Sequence, residues 1–187
     1  MTTEEAILGR RTVRKFTQKP IPSETLWRLV DAARLAPSGS NLQPLRYRIV
    51  NERREADALF PFVRWAAYIA PRGTPTEAER PVAYIIVCAE TTVRKNGYET
   101  DAGAAVENML LLAESLDIGS CWMRAIDRSS IRKLFGFGDQ IAIHSLVALG
   151  YKAEHPVTEP FAGSVRYYKD ETGTLHVPKR QLSDILL

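Results

Sequence analysis

The chain reads as an α+β fold in which a mixed central β-sheet is flanked by helices. Two patterns predict it. Apolar residues recur at helical spacing over Leu26, Leu29, Val30, Ala33 and Ala36, and again over Val106, Met109, Leu110, Ala113 and Leu116. Stretches of strand length, residues 45–51, 82–89 and 143–150, alternate with these helices. No internal repeat, low-complexity stretch or linker divides the 187 residues, so one domain over 1–187 is expected.

Thr2 followed by Glu5 fits a capping box for a first helix ending near Gly9. Pro22-Ser23 opens the second helix and Pro37 stops it. Leu45, Tyr47 and Ile49 alternate with Arg46, Arg48 and Val50, which marks a half-buried strand over 45–51; a short helix follows over 53–60. Residues 61–80 hold Pro61, Pro71, Gly73 and Pro75 and read as a loop or lid carrying Trp65 and Tyr68. The run 82–89 is continuously apolar, the pattern of a strand covered on both faces. Asp101 is expected to cap a long helix reaching about Leu116, with Gly119 closing that region. Ser120–Arg124 forms a short strand, Asp127 caps a helix over 128–135 that stops at Gly136, and 143–150 is a further strand. Residues 165–187 form a C-terminal extension. It has a turn at Asp170-Glu171-Thr172-Gly173, then Lys179-Arg180 and the apolar Leu182, Ile185, Leu186 and Leu187.

Bulk properties narrow the function classes. A net charge of +3, from 25 basic and 22 acidic residues, does not by itself imply a nucleic-acid partner. The longest apolar run falls short of the roughly 20 residues that span a bilayer. The polar, acidic start Met1-Thr2-Thr3-Glu4-Glu5 lacks the features of a secretory signal, so a cytoplasmic location with no membrane partner is expected. Cys88 and Cys121 stand far apart in apolar surroundings, and His144, His155 and His176 are scattered, so no metal site is expected.

Charge is unevenly placed. Residues 10–19 hold Arg10, Arg11, Arg14, Lys15 and Lys19 with no acid among them, and Thr12 adds a hydroxyl. A phosphate monoester is close to a dianion and favours bidentate arginine contacts, which makes this a local anion site; a solvated basic face is the alternative. The turn from Pro37 to Pro44 offers Ser38, Ser40, Asn41 and Gln43 as hydrogen-bonders to a ring edge or to hydroxyls, with Gly39 leaving the backbone accessible. An ordinary polar turn has the same composition. It follows a helix rather than opening one, and neither GxGxxG nor GxxxxGK[ST] occurs in the chain. Cluster and turn together suit a ligand with a phosphate at one end and a flat polar heterocycle at the other. Trp65, Tyr68 and Trp122 are either walls of an adjoining pocket or core aromatics.

Five segments in combination resemble the FMN-dependent nitroreductase family, in particular its short members. They are Arg10–Phe16, Ala32–Pro44, Asp101–Trp122, Leu146–Tyr151 and Val177–Arg180. The resemblance implies an intertwined homodimer with two FMN sites at the subunit interface, NADH or NADPH as reductant, and a small electron acceptor such as a nitroarene or quinone. It gives Arg10, Arg14, Lys179 and Arg180 to the phosphate or the flavin edge, with Arg11 and Thr12 beside them. Pro37, Ser38, Gly39, Ser40, Asn41 and Gln43 then reach the same flavin from the partner subunit. Met123-Arg124-Ala125 pass near the central ring and offer a backbone N–H; the short relatives often carry a small residue where Arg124 stands. No protein nucleophile is required, because the cofactor carries the hydride. Three other readings compete: a same-fold enzyme specialised for dehalogenation or flavin cleavage, a flavin storage or sensing module, and a small nucleic-acid binder. Against the last, acids alternate with the basic residues outside the first cluster, and no RRM-like or helix-turn-helix pattern appears.

Overall fold

Alternation along one strand divides the interior in two. The computed structural model describes residues 1–187, and in it β2 (Ala83–Glu90) sends Tyr84, Ile86 and Cys88 into one core and Ala83, Ile85 and Val87 into the other. That is the two-sided burial its apolar run predicts. With β1 (Leu45–Val50), β3 (Ile118–Met123) and β4 (Ile141–Tyr151) it forms a sheet of order β1-β2-β4-β3, every pair antiparallel. Parallel pairing, and with it the mixed character of the fold, enters at the margin where Thr12 bridges Ser120 and in a small C-terminal sheet.

Helices α2 (Ser23–Arg34) and α4 (Tyr98–Ser115) cover one face, joining Leu26, Leu29 and Ala33 to Val106 and Met109. The other face is covered by α3 (Arg53–Leu59), α5 (Arg128–Phe135) and the segment after α3. The predicted caps of α1 (Thr3–Gly9) and α5 are present: Thr2 and Glu5 form the capping box, and Asp127 accepts from the Ser130 N–H. No helix is long and apolar enough to cross a membrane.

One expected cap is corrected. Gly97, in the left-handed region at φ +78°, starts α4 at Tyr98, so Asp101 lies within the helix and is buried rather than capping its end. Residues 61–80 are more ordered than a plain loop. Short 3-10 turns at Phe60–Phe62, Ala67–Ile69 and Glu77–Glu79 punctuate them, Val63 bridges Ile126, and Trp65, Ala66 and Ile69 are buried.

Two irregularities in β4 shape the surface around it. Between the pairs Val87–Ser145 and Cys88–Ile143 the strand carries one extra residue, His144, which makes a β-bulge. Further along, Gly150 faces Gly119 across the β3–β4 pair. Their missing side chains leave a bare strip on which the N-terminal segment lies. A Cβ on Gly119 would stand 2.9 Å from Val13 Cγ1, and one on Gly150 would stand 2.7 Å from Phe16 Cβ. Val13 N–H donates to Ser120 O at 2.9 Å and Thr17 N–H to Tyr151 O at 2.8 Å, so the residues around Arg14 are pinned at both ends.

After β4 the chain forms β5 (Val157–Pro160), β6 (Tyr168–Lys169) and β7 (Leu175–Lys179), in the order β5-β7-β6. His176 ties this sheet together. Its Nδ1 lies 3.2 Å from Glu159 Oε2 and its Nε2 lies 3.1 Å from Asp170 Oδ2, while Tyr168 stacks on the ring. The Asp170 carboxylate raises the His176 pKa above its ordinary 6.5, and the Thr172 hydroxyl followed by His176 draws Asp170 down to about 2. The raised histidine adds stability that is complete below pH 6.5 and is lost as pH rises through its folded value; the aspartate's share is lost only as pH falls through about 2. The thermal midpoint is therefore expected to fall between pH 6 and pH 9, and to fall less in His176→Asn. The comparison with the variant matters because buried His144, whose pKa is lowered by burial and then by Arg124, acts in the opposite sense. Equal pH dependence in both proteins would remove His176 from the account.

Candidate functional site

Folding the N-terminal segment onto β3 and returning the chain along β7 builds a basic cleft of about 190 Å³. Arg10, Arg11, Thr12, Arg14 and Lys179 line it with Tyr167, and no acid does. The cluster sorts itself by long-range pairing. Lys15 turns away to Glu79 at 2.6 Å, drawing that carboxyl down to about 2, and Arg10 leans on Glu107 at 3.5 Å. Burial and the adjacent Arg10 cation push Arg11 below its ordinary value, as expected of positive charge without a full complement of anions.

Arg14 is held by its main chain. Its N–H donates to Glu154 Oε1 at 2.7 Å, and its guanidinium lies over the Tyr167 ring at 5.1 Å. The other oxygen of Glu154 takes the largely buried Lys169 Nζ at 3.2 Å, so this carboxylate is shared between two other groups and makes no ion pair with the Arg14 guanidinium. Arg180 stands on the neighbouring groove with Arg11 and Lys179, over the Phe161 ring, rather than in the cleft itself.

A second cavity, of about 220 Å³, shares Arg14 with the first. Trp65, Trp122, Met123, Arg124 and Ala125 line it, with Arg64 and Cys121. Burial pushes the Cys121 thiol up to about 11, so it is a neutral wall and no nucleophile. Trp122 Nε1–H donates to Ser145 Oγ at 2.8 Å, and the same oxygen shares a hydrogen bond with His144 Nδ1 at 2.9 Å. The bulge thus aims a buried, neutral His144 at the residues that fix the indole. Tyr68 departs from expectation. It is 53% exposed and packs on Tyr167 at 4.9 Å, outside this cavity, because the 3-10 turn at Ala67–Ile69 buries Ile69 instead.

The Pro37–Gln43 turn is elsewhere. Pro37, Ser38 and Gln43 line a separate cavity with Ala33, Tyr47 and Asp101, and Ser40, Asn41 and Gln43 all have positive φ, from 51° to 53°. Asp101 braces the turn: Oδ1 accepts from Gly39 N–H at 3.0 Å and Oδ2 from Arg94 Nη1 at 2.9 Å. Neither Asp101 in this role nor Arg94 stands out in the sequence, although Asn96-Gly97 is a turn signal that marks the true start of α4. One chain therefore brings together Arg10, Arg11, Thr12, Arg14 and Lys179, and places Arg124 and Ala125 next to them. It does not bring Pro37–Gln43 to the same place.

Comparison with known proteins places this architecture. The model of the Nitroreductase family matches residues 7–151. The chain is 32% identical over 164 residues to the Methanothermobacter thermautotrophicus protein named "Putative NADH dehydrogenase/NAD(P)H nitroreductase", covering 84% of this chain and 81% of that one. It is 25% identical over 174 residues to the NADPH-flavin oxidoreductase of Vibrio harveyi, covering 84% and 69%. Among solved structures, a nitroreductase with bound FMN from Bacteroides fragilis NCTC 9343 superposes with a TM-score of 0.67 at 26% identity, covering 88% of this chain and 95% of that one.

Proposed function

Because the chain belongs to the nitroreductase family, we propose that it is an FMN-dependent oxidoreductase that passes a hydride from NADH or NADPH to a small acceptor such as a nitroarene or quinone. One observation carries this reading: Arg14 stands at the junction of an acid-free basic cleft and an aromatic-walled cavity. The first suits the phosphate of FMN and the second its flat ring.

FMN supplies hydride chemistry when bound. The protein supplies the rest. Arg10, Arg11, Thr12 and Lys179 bind the phosphate, with Arg180 at the mouth. Arg14 places fixed positive charge where negative charge is to be stabilised. The Ala125 carbonyl accepts from Arg64 N–H at 2.9 Å, which ties the segment beside the cavity to residues 63–64. Trp65 and Trp122 wall off water, and residues 61–80 flank the acceptor's approach.

The site is completed by a second copy. Pro37, Ser38 and Gln43 line a different cavity from the basic cleft, and in this reading they reach the cleft with Gly39, Ser40 and Asn41 from a partner in a homodimer. Exposed Trp27, at 70%, together with Ile7, Leu8, Leu35 and the apolar tail, gives such a dimer a surface to bury. The whole chain then acts as one FMN-binding unit.

Purified protein is expected to be yellow, dimeric in mass, and bleached promptly by anaerobic NADH. Persistent colour would make it a storage module instead. Arg14→Ala removes the guanidinium but keeps the main-chain anchor to Glu154, and is expected to weaken FMN binding about tenfold or more. Unchanged retention and an unchanged bleaching rate would strip Arg14 of its role.

A further inference from the structure

The aromatic cavity carries more positive charge than a flat neutral ring requires. Arg64 and Arg124 line it from two segments that are tied together, through the Val63–Ile126 bridge and the hydrogen bond from Arg64 N–H to Ala125 O. Neither guanidinium has a carboxylate within ion-pair distance. Both residues are exposed, as are other arginines without a carboxylate partner such as Arg28, Arg54 and Arg72; what distinguishes Arg64 and Arg124 is that they stand on the wall of the aromatic cavity. No acid lines the cavity, and Trp65 and Trp122 give it broad apolar walls.

Two unpaired forks of N–H donors beside flat apolar surface match one ligand shape. Building on the oxidoreductase reading, we propose that the preferred acceptor is a planar aromatic bearing an anionic substituent, with Arg64 as the specificity-determining residue and Arg124 reinforcing it. A guanidinium pairs with a carboxylate through two parallel, charge-assisted hydrogen bonds that a neutral amide cannot supply. An acid-free cleft also concentrates anions at its mouth.

The test uses the FMN-loaded protein with NADH and two acceptors of equal shape, 4-nitrobenzoate and 4-nitrobenzamide. The wild type is expected to favour the carboxylate in kcat/KM by about tenfold. That ratio should fall to near one in Arg64→Gln, recover in part in Arg64→Lys, and shrink with added salt. Binding gives an independent readout: benzoate should perturb the visible band of bound FMN at lower concentration than benzamide, and this advantage should be lost in Arg64→Gln. Equal kcat/KM for the two acceptors in the wild type, or a ratio indifferent to Arg64→Gln, overturns the inference. So does a loss confined to NADPH relative to NADH, which would assign the cation to the donor's phosphate. If benzoate binds selectively but neither nitro compound is reduced, the oxidoreductase reading fails while the anion preference stands.

Discussion

Gly150→Ala is expected to lower the thermal midpoint by roughly 6–12 °C and to cost the protein its FMN in the same step. The added methyl would stand 2.7 Å from Phe16 Cβ and 2.8 Å from the near edge of its ring, and Phe16 is fully buried. The closest atom is the root of that side chain, so no rotation about χ1 relieves the clash; the backbone from Val13 to Thr17 must lift. Overpacking of this kind costs about 1–3 kcal/mol, and partial expulsion of a buried Phe adds to it, for about 3 kcal/mol in all. Lifting the segment also carries Arg14 and Thr12 away from Lys179. Stability and cofactor retention are thus lost together, and circular-dichroism melting beside flavin fluorescence reads both. An unaltered midpoint would show that the strip has more room than its geometry allows.

Asp101→Ala is expected to destabilise by about 2–4 kcal/mol and to free the Pro37–Gln43 turn. The carboxylate is 5% exposed and holds both Gly39 N–H and the Arg94 guanidinium. Without it, a backbone donor and a half-buried cation lose their partner. The turn it braces is costly to hold, since Ser40, Asn41 and Gln43 each sit at positive φ, roughly 1 kcal/mol apiece for L-residues. The hydrogen bonds from Gln43 N–H to Ser38 Oγ at 3.1 Å and from Arg46 Nη1 to Gln43 O at 3.2 Å, with the local 3-10 bonds, then resist its release. Limited proteolysis should cut at 38–43 in the variant and not in the wild type. In a double-mutant cycle with Arg94→Ala, a coupling near zero would show that the pair is incidental.

Local patterning made much of this legible. The helical periodicity of α2 and α4, the two-faced run of β2 and the caps at Thr2 and Asp127 each rest on neighbours a few residues away. What escaped depends on distant ones. Which cations stay unpaired was settled by Glu79, Glu107 and Glu154, none of them near residues 10–14 in sequence. The meeting of Lys179 with Arg11 needed the small C-terminal sheet, whose β6 is only two residues long and leaves no periodic signal. Facing glycines follow from register, which a strand's own sequence does not state. Asp101 misled because a helix cap and a buried brace call for the same side chain, and only the conformation of Gly97 separates them.

The bulge at His144 has a reach beyond its own hydrogen bonds. Before it, odd-numbered Ile143 belongs to the core that holds Phe16; after it, even-numbered Leu146 and Ala148 do. One additional residue therefore resets the phase of the strand midway. Without His144, Ile143 would be followed directly by Ser145 and plain alternation would run on to Leu146 and Ala148, so Gly150 would keep its open side toward the N-terminal arm. A one-residue deletion at this point is therefore a lighter event than one elsewhere in β4: it removes the imidazole beside Ser145 and leaves the arginines seated.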